Sequence, residues 1–198
     1  MQLLVATTNE GKIRELTALL QGLTIELVTL DRLTPSPPVP AEVMETFTGN
    51  ALLKASHYHR FSGLLTLADD SGLEVEALGG RPGVRSAEYG GTGLSSAVRN
   101  RLLLEEMRDV PAGRRGARFV CVVALVGTDI NRTFVGSCEG EIATIPTGSD
   151  GFGYDPIFID PGTRQSFASL PMEEKSKRSH RGQAFSGLLG CLRDLYRM

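Results

Sequence analysis

A chain of 198 residues, 41% of them hydrophobic, is long enough to bury one substantial core, and no Ser/Pro-rich or charge-rich linker divides it, so a single domain over 1–198 is expected. With 21 Lys and Arg against 23 Asp and Glu, a formal charge of -2 and only short basic runs, the composition excludes non-specific nucleic-acid binding and favours a small ligand. The apolar start, 1–6, is too short for a signal core and no stretch is long enough to span a bilayer, so a soluble, cytoplasmic protein without a membrane partner is expected.

"LLVA" (Leu3 to Ala6), "TTNEGK", then Ile13, Leu16, Leu19 and Leu20 at helical spacing read as strand, polar loop and amphipathic helix, closed by Gly22. "TIELVTL" (Thr24 to Leu30) is a second strand. "TPSPPVPAE" (Thr34 to Glu42) is a proline-stiffened connector that cannot be helical. Thr46 to Phe61 reads as a helix with Phe47, Ala51, Ala55 and Tyr58 on one face and Gly63 as its stop. "LLTLA" is a third strand that ends at Asp69 and Asp70. Then "GLEVEAL" alternates with period two, "LSSAVRNRLLLEEMRD" is helical, and "ARFVCVVALVG" pairs with "RTFVGSCEGEIA" as a hairpin across "TDIN". A last helix carries Phe185, Leu188, Leu189, Leu192 and Leu195. Early alternation of strand and helix followed by an antiparallel hairpin predicts a mixed-sheet α/β domain. Cys121, Cys138 and Cys191 are odd in number and form no CxxC pair, so free thiols packed as small hydrophobes are expected.

Four stretches could carry chemistry. In a continuing strand Asp69 and Asp70 face opposite sides, so they share a site only if the chain bends, which Ser71-Gly72 would permit. Asp, Ser and Gly also make an ordinary turn. Two like charges at the end of an apolar run otherwise require a cation, and a hard divalent ion held by carboxylate oxygens satisfies them. "TTNEGK" sets unpaired helix amides beside Lys12 and suits an anion, though Asn9 as a plain helix cap explains the loop as well. It lacks the spacing of a P-loop. "GFGYDPIF" (Gly151 to Phe158) would let backbone approach a ligand and Phe152 stack on a planar ring, or be a glycine-flanked turn. "EEKSKRSHRGQAF" crowds Lys175, Lys177, Arg178, His180 and Arg181, which by composition reads as a solvated basic face. His57 and His59, two apart in a helix, make a poor metal pair and read as structural.

"TTNEGK", "ALLKA", "ADDSGLEVEALGGRPGVRSAEY", "GFGYDPIF" and "EEKSKRSHRGQAF", in this order over nearly the whole chain, resemble the inosine triphosphate pyrophosphatase family. The resemblance implies a mixed, strongly twisted α/β sheet flanked by helices, two lobes around a central cleft, and a homodimer. It implies hydrolysis of ITP, dITP and XTP to the monophosphate and pyrophosphate, with Mg²⁺ as cofactor. By position, Thr7, Thr8, Asn9, Glu10, Gly11 and Lys12 match the phosphate loop, and Lys54 a second phosphate contact. Glu42, Asp69 and Asp70 match metal-site carboxylates, Asp70 also the general base, and Ser71 a substrate contact. Phe152, Gly153, Tyr154, Asp155, Lys175, Ser179, His180 and Arg181 match base recognition. Thr8 and Met44 stand where the family often has glycine, Gly49 where it has glutamate and Glu88 where it has arginine; Thr8 in its place requires a negative φ.

The mechanism this implies follows from charge. Three carboxylates beside a triphosphate need a cation between them, and Lys12 and Lys54 neutralise the remainder. Metal or Asp70 then activates a water for in-line attack at the α-phosphorus. Donors on Arg181 and His180 would favour an oxygen at purine C6 over the amino group of adenine, and a buried mismatch of that kind can reach a factor of about 10⁴. A phosphohydrolase with an aspartyl nucleophile would space its aspartates by one residue, unlike this adjacent pair; a non-catalytic nucleotide binder would not need Asp70.

Overall fold

The computed structural model describes residues 2–196, so Met1 of the expected first strand lies outside the described residues. Six strands form one sheet in the order β2-β1-β3-β4-β5-β6. β1 (Gln2–Val5) pairs in parallel with β2 (Glu26–Thr29) and with β3 (Leu65–Val75). Parallel neighbours need crossover connections, and α1 (Glu10–Leu19) and α2 (Phe47–Ser62) lie in them. β4 (Gly116–Gly127) and β5 (Ile130–Ile142) are adjacent and joined by only Thr128 and Asp129, which makes a hairpin, and β5 pairs antiparallel with β6 (Phe158–Ile159). The sheet is mixed, as the alternation predicts. α3 (Ser96–Glu106), α4 (Met172–Arg178) and α5 (His180–Tyr196) complete the fold.

Local chemistry sets the ends of α2. The Thr46 hydroxyl accepts from the Gly49 N–H at 3.0 Å, and Gly63, at φ 70°, closes the helix in a left-handed conformation that a side chain disfavours. Its buried stripe is Phe47, Asn50, Ala51, Lys54, Ala55 and Tyr58, so two polar residues lie on the apolar face. The connector over 33–46 has no helix or strand, as its prolines dictate, and the His57 ring lies 2.8 Å from the Pro38 carbonyl. His57 and His59 each meet a backbone carbonyl, the structural role expected of them.

The chain divides into two compact units. The first comprises residues 2–70, 121–136 and 181–196 of the described chain, around Leu3, Val5, Leu16, Leu67, Val123, Leu125, Phe185, Leu188 and Leu192. Each such side chain contributes roughly 1.5–3 kcal/mol by leaving water. The second comprises 71–120 and 137–180, around Leu73, Val75, Leu103, Met107, Phe119, Ile157, Phe158 and Phe167. The three cysteines are free; Cys121 is buried, and Cys138 and Cys191 are half-buried. Among the described residues no helix is long and apolar enough to cross a membrane.

Three local expectations fail. The bend allowed at Ser71-Gly72 does not occur, because β3 continues through the aspartates to Val75. "GLEVEAL" is therefore the end of that strand followed by a single helical turn, Glu76–Leu78, rather than a separate strand. The basic run before the last helix is itself helical, as α4, and it is not a solvated face. Lys175, Ser179, His180 and Arg181 are all buried, leaving Lys177 and Arg178 more exposed.

Candidate active site

The continuing strand gives the two aspartates different hydrogen-bond partners within the first unit. Asp69 is fully buried, and its Oδ2 accepts from Lys12 Nζ at 3.0 Å and from Arg181 Nη2 at 3.1 Å. Arg181 also donates from Nη1 to Glu15 Oε2 at 2.6 Å, so Glu15 of α1, Asp69 of β3 and Arg181 of α5 are tied together. Burial alone would raise the Asp69 carboxyl; Lys12 and then Arg181 overcome it and hold the group well below the ordinary 3.8. Cys121 lies 4.0 Å from the same oxygen, and burial pushes its thiol up to about 12.

Asp70 answers to a different set. Its Oδ1 accepts from Lys54 Nζ at 3.0 Å, and the same ammonium donates to Glu42 Oε1 at 3.1 Å. Asn50 Nδ2 lies 3.3 Å from Asp70 Oδ2. Burial raises the Asp70 carboxyl above its ordinary value although Lys54 opposes the shift. Burial lowers Lys54, but the fields of Asp70, Asp69 and Glu42 leave it raised. Lys54 and Asp70 are buried, whereas the Glu42 side chain is 46% exposed.

The loop before α1 is exposed at Thr8, Asn9 and Glu10, with Thr7 half-buried and Gly11 buried. Asn9 Oδ1 accepts from the Lys12 N–H at 3.1 Å, and Thr7 Oγ1 accepts from the Asn9 N–H at 3.2 Å. Asn9 is thus the cap that the plain reading of the loop expects, and it leaves the first-turn amides of α1 ordered. Thr8 keeps to φ values open to any residue; among the described residues only Arg164 is a non-glycine at positive φ.

Ser71 and the remaining expected residues belong to the second unit, except Arg181. Asp155 Oδ2 accepts from Lys175 Nζ at 2.6 Å and from the Phe152 N–H at 2.7 Å. Lys175 Nζ stands 5.1 Å from the centre of the Phe152 ring, in cation–π range. Gly151, at φ 74°, has to be glycine, since a Cβ there would fall 2.1 Å from Asp155 Oδ2. Asn100 Nδ2 donates to the Gly153 carbonyl at 3.1 Å and the Tyr154 hydroxyl to the Ser86 carbonyl at 2.8 Å. His180 stacks on Phe119 at 4.6 Å with 13° between rings, its Nδ1 3.9 Å from Cys138 Sγ. Ser179 ends α4 with its N–H bonded to the Lys175 carbonyl at 2.8 Å.

The Ham1 family model matches residues 3–191. The chain belongs to the Ham1 family. A dITP/XTP pyrophosphatase of Methylococcus capsulatus is 47% identical over 197 residues, covering 98% of this chain and 97% of that protein. A Thermus thermophilus protein of the same name is 46% identical over 195 residues, covering 98% and 93%. The structure of a HAM1 protein from Coxiella burnetii matches with TM-score 0.88 and 38% identity, covering 98% of this chain and 99% of that one.

Among the described residues of this Ham1 chain, no three His, Cys, Asp or Glu side chains converge as a metal-ligand set. Alternation in β3 turns Asp69 towards Lys12 and Arg181, while Lys54 feels the charges of Asp70, Asp69 and Glu42 together. Glu42 and Asp70 alone do fit a hard cation. Their oxygens already converge on one positive point, Lys54 Nζ, and magnesium is commonly held by one or two carboxylates plus substrate phosphate. Glu15, Asn50, Ser86 and Asn100 were not among the expected site residues. For Asn50 the signal is a polar residue inside the apolar stripe of α2, and for Glu15 a carboxylate one position before the buried Leu16.

Proposed function

We propose that this Ham1 protein hydrolyses the non-standard purine nucleoside triphosphates dITP, ITP and XTP to the monophosphate and pyrophosphate. The observation that carries the chemistry is the Asp70–Lys54–Glu42 cluster, where a buried and an exposed carboxylate meet one cationic point. The substrate class follows from relatives named dITP/XTP pyrophosphatase at 43–47% identity over nearly the whole chain.

Glu42 and Asp70 would hold magnesium, which when bound screens phosphate charge and acidifies a water. Asp70, its carboxyl raised by burial, accepts the proton of the attacking water. The water oxygen bonds to the α-phosphorus as the bond to the bridging oxygen breaks and pyrophosphate departs. Lys54 has three N–H donors, two directed at Glu42 and Asp70, which leaves the third for a phosphate oxygen. Lys12, held by Asp69, supplies a second positive charge at the start of α1.

For base recognition the Phe152 ring offers a stacking face, and Ser71, Lys175, Ser179 and His180 carry donor groups suited to a purine oxygen. Arg181 acts through Asp69 and Glu15. Donors set towards the C6 oxygen of hypoxanthine or xanthine would meet the amino group of adenine without an acceptor, and ATP is disfavoured. The proposal includes cytoplasmic function as a homodimer; sedimentation as a monomer alone would remove the dimer.

The test is pyrophosphate release from dITP, ITP and XTP against ATP and GTP, with magnesium or EDTA, for the parent and Asp70→Asn. Cleavage of the non-standard substrates, lost with EDTA and with Asp70→Asn, is the expected result. Comparable turnover of ATP and ITP would overturn the recognition, and undiminished activity of Asp70→Asn would overturn the chemistry.

A further inference from the structure

Asn50 stands where two parts of the Asp70–Lys54–Glu42 cluster meet. Its side-chain amide pairs with the backbone of Met44 through two bonds: Oδ1 accepts from the Met44 N–H at 3.0 Å, and Nδ2 donates to the Met44 carbonyl at 3.3 Å. The same Nδ2 donates to Asp70 Oδ2 at 3.3 Å. Asn50 is 2% exposed and its bond to Asp70 is buried, so that bond forms away from competing water, while the two bonds to Met44 lie part-buried at the surface.

Met44 lies two residues after Glu42, on a connector with no helix or strand of its own. Lys54 links Glu42 to Asp70 through charge, but three of the residues around Glu42, 41–43, are exposed and supply little packing. Fixing the Met44 peptide limits the arc over which Glu42 can swing, and one amide sets that peptide relative to the Asp70 carboxylate. We propose that Asn50 is a positioning residue that holds the Glu42 segment and Asp70 at the separation needed to receive one divalent cation. This deepens the function proposed above and rests on it.

The position requires asparagine's pair of unlike groups. Aspartate at 50 would still accept the Met44 N–H but could donate to neither the Met44 carbonyl nor Asp70, and would add a charge beside the Asp70 carboxylate. Outer partners of metal ligands typically govern metal affinity by about 10- to 100-fold.

The experiment measures Mn²⁺ affinity of the whole protein by electron paramagnetic resonance, with amide hydrogen exchange at 42–46, for the parent, Asn50→Ala, Asn50→Asp and Thr46→Ala. Thr46→Ala is the control, because it removes the α2 cap 3.0 Å from the Gly49 N–H without touching Asp70. Magnesium-dependent dITP cleavage by the parent is measured beside it.

The expected result is Mn²⁺ affinity about tenfold or more weaker in Asn50→Ala, weaker still in Asn50→Asp, faster exchange at the Met44 amide in Asn50→Ala, and affinity within about twofold of the parent in Thr46→Ala. Parental affinity in the Asn50 variants, or an equal loss in Thr46→Ala, overturns the positioning role while parental dITP cleavage leaves the function standing. A parent that neither binds Mn²⁺ nor cleaves dITP overturns both. Should Asn50→Ala not fold, Asn50→Asp and the exchange rate of the parental Met44 amide decide: rapid exchange in the parent means the clamp does not hold.

Discussion

Asp69 and Asp70 are consecutive residues of one strand whose carboxylates take different ion-pair partners, Asp69 joined to Lys12 and Arg181, Asp70 to Lys54 and, through that ammonium, to Glu42. Their asparagine variants should therefore separate stability from turnover. Asp70→Asn keeps one acceptor for Lys54 or Asn50 but sets its amide NH2 against the other donor, so it should fold with a cost of about 1–3 kcal/mol while losing about 10²- to 10⁴-fold in dITP turnover. Asp69→Asn leaves Arg181 and Lys12 facing an uncharged group inside the protein, and removal of one partner from such a buried cluster costs about 3–5 kcal/mol.

The pH dependence has a definite sign. Because Lys12 and Arg181 hold Asp69 below the ordinary 3.8, its contribution is present above that value and is lost as pH falls beneath it. In urea denaturation across the acid range, the parent should lose more stability than Asp69→Asn below about pH 4. Parallel curves would mean that the Asp69 ion pairs contribute nothing to folding.

Lys175 and Asp155 form a second buried pair, 2.6 Å apart, and Asp155 also accepts the Phe152 N–H. Lys175→Met would remove the cation beside the buried carboxylate and should destabilise by roughly 3–5 kcal/mol, whereas Lys175→Met with Asp155→Leu should recover most of that loss. Lys175→Met should raise KM for dITP, since Phe152 loses the cation 5.1 Å from its ring, and the double variant should raise it further, since Phe152 then also loses the bond that fixes its backbone. Denaturant midpoints for the two singles and the double test it; simple additivity would show that the residues do not act as a pair.

How much of this was legible depends on how local the causes are. The start and stop of α2 were readable because Thr46, Gly63 and the 3.6-residue stripe act within one helix. The path of β3 was not. Asp-Asp-Ser-Gly has turn chemistry, yet β3 lies between β1 and β4, and the charges that offset Asp69 there come from Lys12, 57 positions earlier, and Arg181, 112 positions later. The run from Lys175 to Arg181 looked solvated for the same reason: its carboxylate partners are Asp155, Glu15 and Asp69, far away in sequence. Family resemblance singled out most of the candidate residues, but not the different ion-pair partners that the strand's alternation gives Asp69 and Asp70.

The last prediction concerns two departures from the family's usual residues that explain each other. A Cβ added at Gly49 would fall 2.8 Å from Met44 Cβ and 3.0 Å from Met44 Cγ. With Met44 in place, position 49 has no room for a side chain, so the glutamate usual at this third helical position, which with Thr46 would form a capping box, is lost. Gly49→Ala alone should overpack the contact and destabilise by about 1–3 kcal/mol. In a Met44→Gly background the same change should stabilise by about 0.5–1 kcal/mol, because alanine is the better helix former. Stability of the four proteins in urea gives the coupling, and a positive sign in one background with a negative sign in the other is the result expected. If Gly49→Ala has the same effect in both, the close approach of Met44 is not what selects glycine there.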